Sequence, residues 1–110
     1  MNKSLMVGIT GLSGSGKDTA AVYLEKKGFK NYSLSDEIRI EARKRGLRTD
    51  RDSLIKLVDE MRATLGKDIL SQRMLKRIKG NSVVTSFRHP VEVKNFKKLP
   101  NFYLINVKII

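Results

Sequence analysis

Short apolar runs alternate along this chain with longer segments whose apolar residues recur at helical spacing. The runs are six to ten residues long and predict strands, and the third, SVVTSF, is rich in β-branched residues. The first run, LMVGIT, stops at Gly11, where a turn is expected. The four predicted strands cover residues 5–10, 29–35, 82–87 and 101–110.

Helical patterns fill the space between these strands. Ser35 is predicted to cap the second helix, the Thr49–Asp52 pair to form a capping box for the third, and Pro90 to open the last. Stripes at 54–65 and 69–78 are expected to be core. Predicted helices cover residues 17–27, 35–45, 67–79 and 90–98, and another follows the capping box and ends at Gly66; glycines follow the first four helices of the chain.

Strands separated by helices indicate βαβ units, so we expect an α/β fold with a mostly parallel sheet of about four strands covered on both faces. A chain of 110 residues suits one domain, here 1–110. The final predicted strand has no helix after it. We therefore expect a fold whose C-terminal part is missing, or one completed by a partner, such as a second copy pairing with the open sheet edge.

Composition excludes several classes of function. The absence of cysteine rules out disulfides and thiolate metal sites, and a single histidine, His89, rules out a histidine cluster. No apolar run is long enough to span a membrane, and the first ten residues do not resemble a secretory signal. These features predict a cytoplasmic protein without a membrane partner.

The balance of charge is strongly basic, with 23 Lys and Arg against 11 Asp and Glu, or +12 overall. Such a surface attracts polyanions, including nucleic acid and phosphorylated small molecules. A solvated basic surface without a partner explains the charge equally well. The basic residues are spread from Lys26 to Lys108, which argues against a disordered basic arm.

Residues 11–17 read GLSGSGK, the G-x-x-x-x-G-K pattern of a phosphate-binding loop, between a predicted strand and a predicted helix. Glycines let the backbone N–H groups approach an anion closely, and the following helix adds its positive end. Lys17 would reach the β- and γ-phosphates of ATP. The candidate nucleotide-binding residues are Gly11, Ser13, Gly14, Ser15, Gly16, Lys17, Asp18 and Thr19.

Asp18 departs from the pattern, because a serine or threonine usually binds Mg²⁺ at this position. Thr19 is one residue further along the helix, rotated by about 100°, and is not expected to replace that hydroxyl. A carboxylate also binds Mg²⁺, so Asp18 is the candidate metal ligand, directly or through water.

The stretch GITGLSGSGKDTAAVYLEKKGFKNYSLSDEIR, residues 8–39, resembles P-loop kinases of the nucleoside monophosphate kinase group. It looks closest to archaeal adenylate-kinase-related and dephospho-CoA-kinase-like proteins, often labelled AAA-family ATPases. The resemblance implies a P-loop NTPase fold of three α/β/α layers, with a helical acceptor-side insert at about 35–80. It also implies ATP and Mg²⁺ as cofactors and γ-phosphoryl transfer to a small phosphorylated acceptor, with Lys17 in a catalytic role.

The same resemblance suggests where the acceptor phosphate binds. Asp36 and Arg39 match a D-x-x-R motif of the family, although an ordinary helix start explains them equally well. Arg88 matches the arginine of D-G-x-R-x-P and is the second catalytic candidate, while Thr85 and Ser86 replace the acid and the glycine of that motif. Candidates of lower rank are Arg43, Arg48 and Arg51, and His89 is expected to precede a helix rather than act as a base.

The lid and the adenine-holding loop of the resembled kinases have no counterpart in the 110 residues, so weak nucleotide binding and slow or absent transfer are expected. Two alternatives stay open. The charge fits a basic nucleic-acid-associated P-loop ATPase, although aromatic residues are only 6%. A truncated, non-catalytic nucleotide-binding domain that works by assembly is the other alternative.

Overall fold

The computed structural model describes residues 4–11 and 17–107. Each predicted strand and helix is present in the predicted order, but the second and third strands are shorter than their patterns suggested. Residues 108–110 of the fourth predicted strand lie outside the described part of the chain. The elements are β1 (Met6–Gly11), α1 (Lys17–Lys26), β2 (Lys30–Ser33), α2 (Ser35–Lys44), α3 (Arg51–Leu65), α4 (Ile69–Arg77), β3 (Ser82–Thr85), α5 (Pro90–Lys97) and β4 (Phe102–Val107).

The four strands form one parallel sheet in the order β2-β3-β1-β4, which confirms the predicted fold class. Met6 of β1 lies opposite Ser82 of β3 and Phe102 of β4. Because all strands run the same way, β1, β2 and β3 all end at one edge of the sheet. This is the edge at which open α/β sheets bind ligands.

Helices pack on both faces of the sheet and make three layers. On one face Ala21 of α1 packs with Val7, Ile9 and Val83. On the other face lies the larger core, formed by strand residues and helices α2 to α5. Its most deeply buried members are Leu34, Ala42, Met61, Met74, Val84 and Phe96.

An aromatic cluster fixes α5 against the sheet and explains a glycine inside β1. Phe96 contacts Phe87 edge-to-face and Phe102 at a tilt, with ring centroids 5.5 Å apart in each pair. A Cβ at Gly8 would lie 2.6 Å from Cζ of Phe102 and 3.2 Å from Phe87. Gly8 therefore provides the space into which the rings pack.

Two predicted helix caps are wrong by one residue. Ser35 is the first residue of α2, and Leu34 precedes it without a side-chain cap. Asp50, not Thr49, caps α3: its carboxylate accepts from the Ser53 amide at 3.3 Å and from the Ser53 hydroxyl at 2.7 Å. An aspartate can take both donors at once, which a threonine hydroxyl cannot. The Ser53 bonds lower the pKa of Asp50.

The apolar stripe on α3 is buried only in part. Leu57, Val58 and Met61 are buried, but Leu65 at the end of the helix is 46% exposed, which corrects the prediction that the whole stripe is core. Among the described helices, none is both long and apolar enough to cross a membrane.

Buried glutamates tie α2 to α4. Glu41 of α2 accepts a hydrogen bond from Arg73 of α4. It also accepts from Arg45, with 2.8 Å between Arg45 Nε and Glu41 Oε2. Glu37, one turn earlier, accepts from Nε of Arg77 at 2.8 Å. These pairs hold the helical segment 35–80 together beside the sheet edge.

Candidate functional site

A cavity of about 590 Å³ opens beside the carboxyl ends of β2 and β3. Its basic wall consists of Arg39, Arg51, Arg62 and Arg88, and among the described residues Asp59 is the single acidic residue that lines it. The apolar part of the wall consists of Ile38, Leu54, Ile55, Val58 and Leu70. The cavity thus joins a strongly positive side to an apolar side, as sites for charged organic molecules do.

Arg39 lies on α2 and is held by its own helix. Its Nη1 donates to Oδ1 of Asp36 at 3.2 Å and approaches the Ser35 hydroxyl at 3.4 Å. Asp36 does not line the cavity; its other carboxylate oxygen accepts from the Ser33 amide at 3.2 Å. Of the two residues predicted to bind the acceptor here, Arg39 lies in the cavity wall and Asp36 lies outside it.

Arg88 follows β3 and lines the cavity with an exposed side chain, although it lies far from Arg39 in sequence. Its amide donates to Oε1 of Glu92 at 2.7 Å, and the amide of His89 donates to the same oxygen at 3.0 Å. Glu92 is fully buried in α5. His89 precedes α5, as the sequence predicted, and is half-buried.

Three hydroxyls connect the ends of β2 and β3 at the cavity. The Ser33 oxygen lies 2.7 Å from that of Ser35 and 2.6 Å from that of Ser86. Ser86 has φ of 70°, a left-handed conformation that favours glycine. This is the position at which the resembled kinases carry glycine, so the backbone there keeps a glycine-like shape despite the serine.

The neighbouring Thr85, at the position of the family acid, has its hydroxyl 3.5 Å from the Tyr32 carbonyl oxygen, at the distance limit of a hydrogen bond. The side chain thus leans toward β2 within the sheet.

The predicted phosphate loop has the expected elements on either side. Gly11 ends β1 with φ of 149°, which favours glycine, and α1 begins at Lys17. Thr19 is exposed in the first turn of α1. Residues Ser13, Gly14, Ser15 and Gly16, and the side chains of Lys17 and Asp18, lie outside the described part of the chain. Their roles stay predictions.

Metal binding is likewise a prediction. Residues 4–11 and 17–107 contain no group of three His, Cys, Asp or Glu side chains that could hold a metal ion. The carboxylate of Asp18, the proposed Mg²⁺ ligand, is outside the described side chains.

Several residues of the cavity were missed or ranked low in the sequence. Arg51 lines it although ranked low, whereas Arg48 is 88% exposed and lies 3.6 Å from Asp50. Arg62 and Asp59 were not singled out. A helical-spacing signal was available, because positions 51, 55, 58–59 and 62 lie on one face of α3. Leu54, Val58 and Leu70, predicted as core alone, also line the cavity.

Comparison with known families agrees with this architecture. The sequence model of a family described as AAA domain matches residues 7–107. The chain belongs to the AAA domain family. Among curated relatives of this AAA-domain chain is a UPF0200 protein of Methanothermobacter thermautotrophicus, 32% identical over 94% of the chain and 54% of the relative. A UPF0200 protein of Methanothrix thermoacetophila is 30% identical over 93% and 58%, respectively.

The chain therefore spans about half the length of the curated relatives that it matches. These relatives are named UPF0200 proteins rather than nucleoside monophosphate or dephospho-CoA kinases, so that narrower assignment is not established. Among solved structures, that of TT1252 from Thermus thermophilus matches with a TM-score of 0.52 and 24% identity, over 94% of this chain and 66% of that one. This likeness concerns the fold alone.

Proposed function

We propose that this AAA-domain chain binds Mg·ATP through residues 11–19 and a small phosphorylated acceptor in the arginine-lined cavity, and that the γ-phosphoryl group is transferred between them. The main support for the proposal is that Arg39 and Arg88 both line the same cavity. The two were singled out from separate motifs. Because the chain spans about half of its relatives, the full transfer reaction is proposed for the complete fold.

The chemistry of phosphoryl transfer suits such a site. The reaction needs positioned substrates and neutralised charge more than acid–base groups. Arg39 and Arg62 pair with Asp36 and Glu92, but Arg51 and Arg88 make no ion pair among the described residues. The cavity therefore keeps positive charge for an acceptor phosphate, and its apolar wall offers a surface for a ring. A nucleoside monophosphate or a dephospho-CoA-like molecule has both parts. Lys17 would neutralise the β- and γ-phosphates, and Asp18 would hold Mg²⁺ directly or through water.

The first experiment is calorimetric titration of Mg·ATP into the chain, into Lys17→Ala and into Lys26→Ala. Lys26 is exposed at the far end of the same helix, so it controls for the loss of one positive charge. Binding is expected in the unsubstituted chain and in Lys26→Ala, and should be lost in Lys17→Ala. Equal binding by both variants would refute a working phosphate loop.

The second experiment identifies the acceptor by ADP release in the presence of each nucleoside monophosphate or dephospho-CoA. One acceptor should stimulate release and Arg39→Gln should raise its KM. If ATP binds but no acceptor stimulates ADP release, the result would support nucleotide binding and refute the kinase proposal.

The net charge of +12 supports a second candidate, a nucleic-acid-associated ATPase in the cytoplasm. Such a protein should bind an oligonucleotide with an affinity that falls steeply with salt. Salt-independent or absent oligonucleotide binding would exclude it. A non-catalytic nucleotide-binding domain, the third candidate, would bind Mg·ATP but release no ADP with any acceptor.

A further inference from the structure

One fully buried carboxylate connects two arginines of the cavity wall. Oε1 of Glu92 accepts from the amides of Arg88 and His89, and Oε2 faces Nη2 of Arg62 at 3.4 Å. Arg62 belongs to α3, whereas Arg88 lies in the loop between β3 and α5. Glu92 therefore fixes the helix that forms one side of the cavity relative to the loop that forms another.

Arg62 has donors left over after this pairing. Its side chain is only 18% exposed, and Nε is buried with no acceptor among the described residues. A buried charged donor without a partner is costly, and native proteins seldom leave one unpaired. Because Arg62 lines the cavity, an anion bound there would lie beside its guanidinium group and accept from its Nη groups rather than from the enclosed Nε.

We propose that Arg62 and Arg88 together bind the anionic group of the acceptor, and that Glu92 is the positioning residue that sets the two arginines side by side. The inference rests on the proposed acceptor cavity and adds Arg62, a binding residue that no sequence motif indicated. It also specifies the ligand: an anion able to accept from two arginines at once, such as a phosphate dianion.

The contact with Glu92 leaves donors of the Arg62 guanidinium unused. A bidentate contact would use two of them. Here a single donor of Arg62 contacts Glu92, at 3.4 Å, and Nε has no partner among the described residues. Meanwhile the other oxygen of Glu92 is occupied by the Arg88 loop. The carboxylate thus orients Arg62 without saturating it.

The test is a titration with inorganic phosphate. It is monitored in ¹H–¹⁵N spectra that resolve the arginine Nε–H groups. Lys17→Ala serves as the parent, since it removes the contribution of the phosphate loop. Arg62→Lys and Glu92→Gln are introduced separately, and Arg43→Gln is the control because Arg43 is exposed on α2 and does not line the cavity. An Arg62→Met/Glu92→Gln variant removes both members of the pair, which folded proteins commonly tolerate.

Phosphate should move the Arg62 Nε–H resonance of the parent. Arg62→Lys should weaken phosphate binding about tenfold, the size of one charge-assisted hydrogen bond. Glu92→Gln should weaken it while the amide resonances of Arg88 and His89 keep their hydrogen-bonded positions, and the double variant should abolish it. Arg43→Gln should bind like the parent.

An unmoved Arg62 resonance, or equal affinities of Arg62→Lys, the double variant and Arg43→Gln, would overturn the inference. Failure of the parent to bind phosphate would overturn it as well. Mg·ATP binding by the unsubstituted chain tests the proposed function separately, so the two can fail independently.

Discussion

At the residue scale, Ser86 shows how a departure from a family motif is accommodated. The sequence has a serine where the resembled kinases carry glycine, yet the backbone keeps φ of 70°. A left-handed conformation costs a residue with a Cβ roughly 1–2 kcal/mol. A hydrogen bond between the hydroxyls of Ser86 and Ser33, whose oxygens are 2.6 Å apart, offsets part of that cost.

Comparison of Ser86→Gly with Ser86→Ala separates these two effects, because both variants lose the hydroxyl. Alanine keeps the Cβ and its strain, so Ser86→Gly should be more stable than Ser86→Ala by about 1 kcal/mol. At ordinary strand or helix positions the alanine variant is the more stable of the two, so the expected order of stability is reversed here. Urea denaturation measures the difference, and an alanine variant as stable as the glycine variant would show that the position is unstrained.

The residue scale also shows which site members a sequence can indicate. Arg39 and Arg88 were predicted because each lies in a short motif, and both line the cavity. Arg62 lies in no motif, and Glu92 belongs to the capping box at the start of α5; the roles argued for them depend on the contact between α3 and α5. Asp36 was predicted to bind the acceptor, but its contacts are with Arg39 and the Ser33 amide.

At the scale of the elements, ion pairs decide how the helices of segment 35–80 sit against one another. Glu41 is nearly buried between Arg45, which directly follows α2, and Arg73 of α4. The hydrogen bonds from Arg45 and then Arg73 hold the pKa of Glu41 below its usual value of 4.5. Since α2 carries Arg39, this contact also bears on the shape of the cavity.

Glu41→Gln should therefore reduce stability in a pH-dependent way. A depressed carboxyl pKa stabilises the folded state above about pH 4.5, and this contribution is lost as the pH falls through the folded-state pKa. The chain should exceed Glu41→Gln in unfolding free energy by about 1.5 kcal/mol at pH 7, and the gap should shrink in acid. Urea denaturation from pH 7 down to pH 3 measures it.

Glu60→Gln is the matched control, because Glu60 also pairs with Arg45 but is 57% exposed. Exposed pairs contribute little, so its effect at pH 7 should stay below about 0.5 kcal/mol. A pH-independent gap for Glu41→Gln would assign its effect to lost packing rather than to charge.

At the scale of the whole molecule, the two sheet edges differ. The β2 edge is four residues long and carries the exposed Lys30, a combination that discourages pairing with another chain. The β4 edge is six residues long, has no charged residue, and exposes Tyr103 (58%) and Ile105 (44%). The predicted two-sided cover of the sheet is thus incomplete at β4 among the described residues.

We propose that β4 mediates self-association of the chain by edge-to-edge pairing. Sedimentation should show a mass that rises with concentration, and Ile105→Lys should hold the chain at monomer mass, since a charge on the strand opposes pairing. Leu47→Lys is the control, because Leu47 is equally exposed (46%) between α2 and α3. A monomer at every concentration would contradict the proposal.

The sequence by itself determined the order and type of the elements, the parallel sheet, the strand and helix that flank residues 11–17, and two arginines of the cavity. Those features follow from local periodicity, glycine positions and short motifs, which act over a few residues. The tertiary structure decided that Arg51 and Arg62 join Arg39 and Arg88 and that one buried carboxylate contacts both α3 and the β3–α5 loop. These contacts join residues distant in sequence, and their geometry depends on how helices pack on the sheet, which no local pattern specifies.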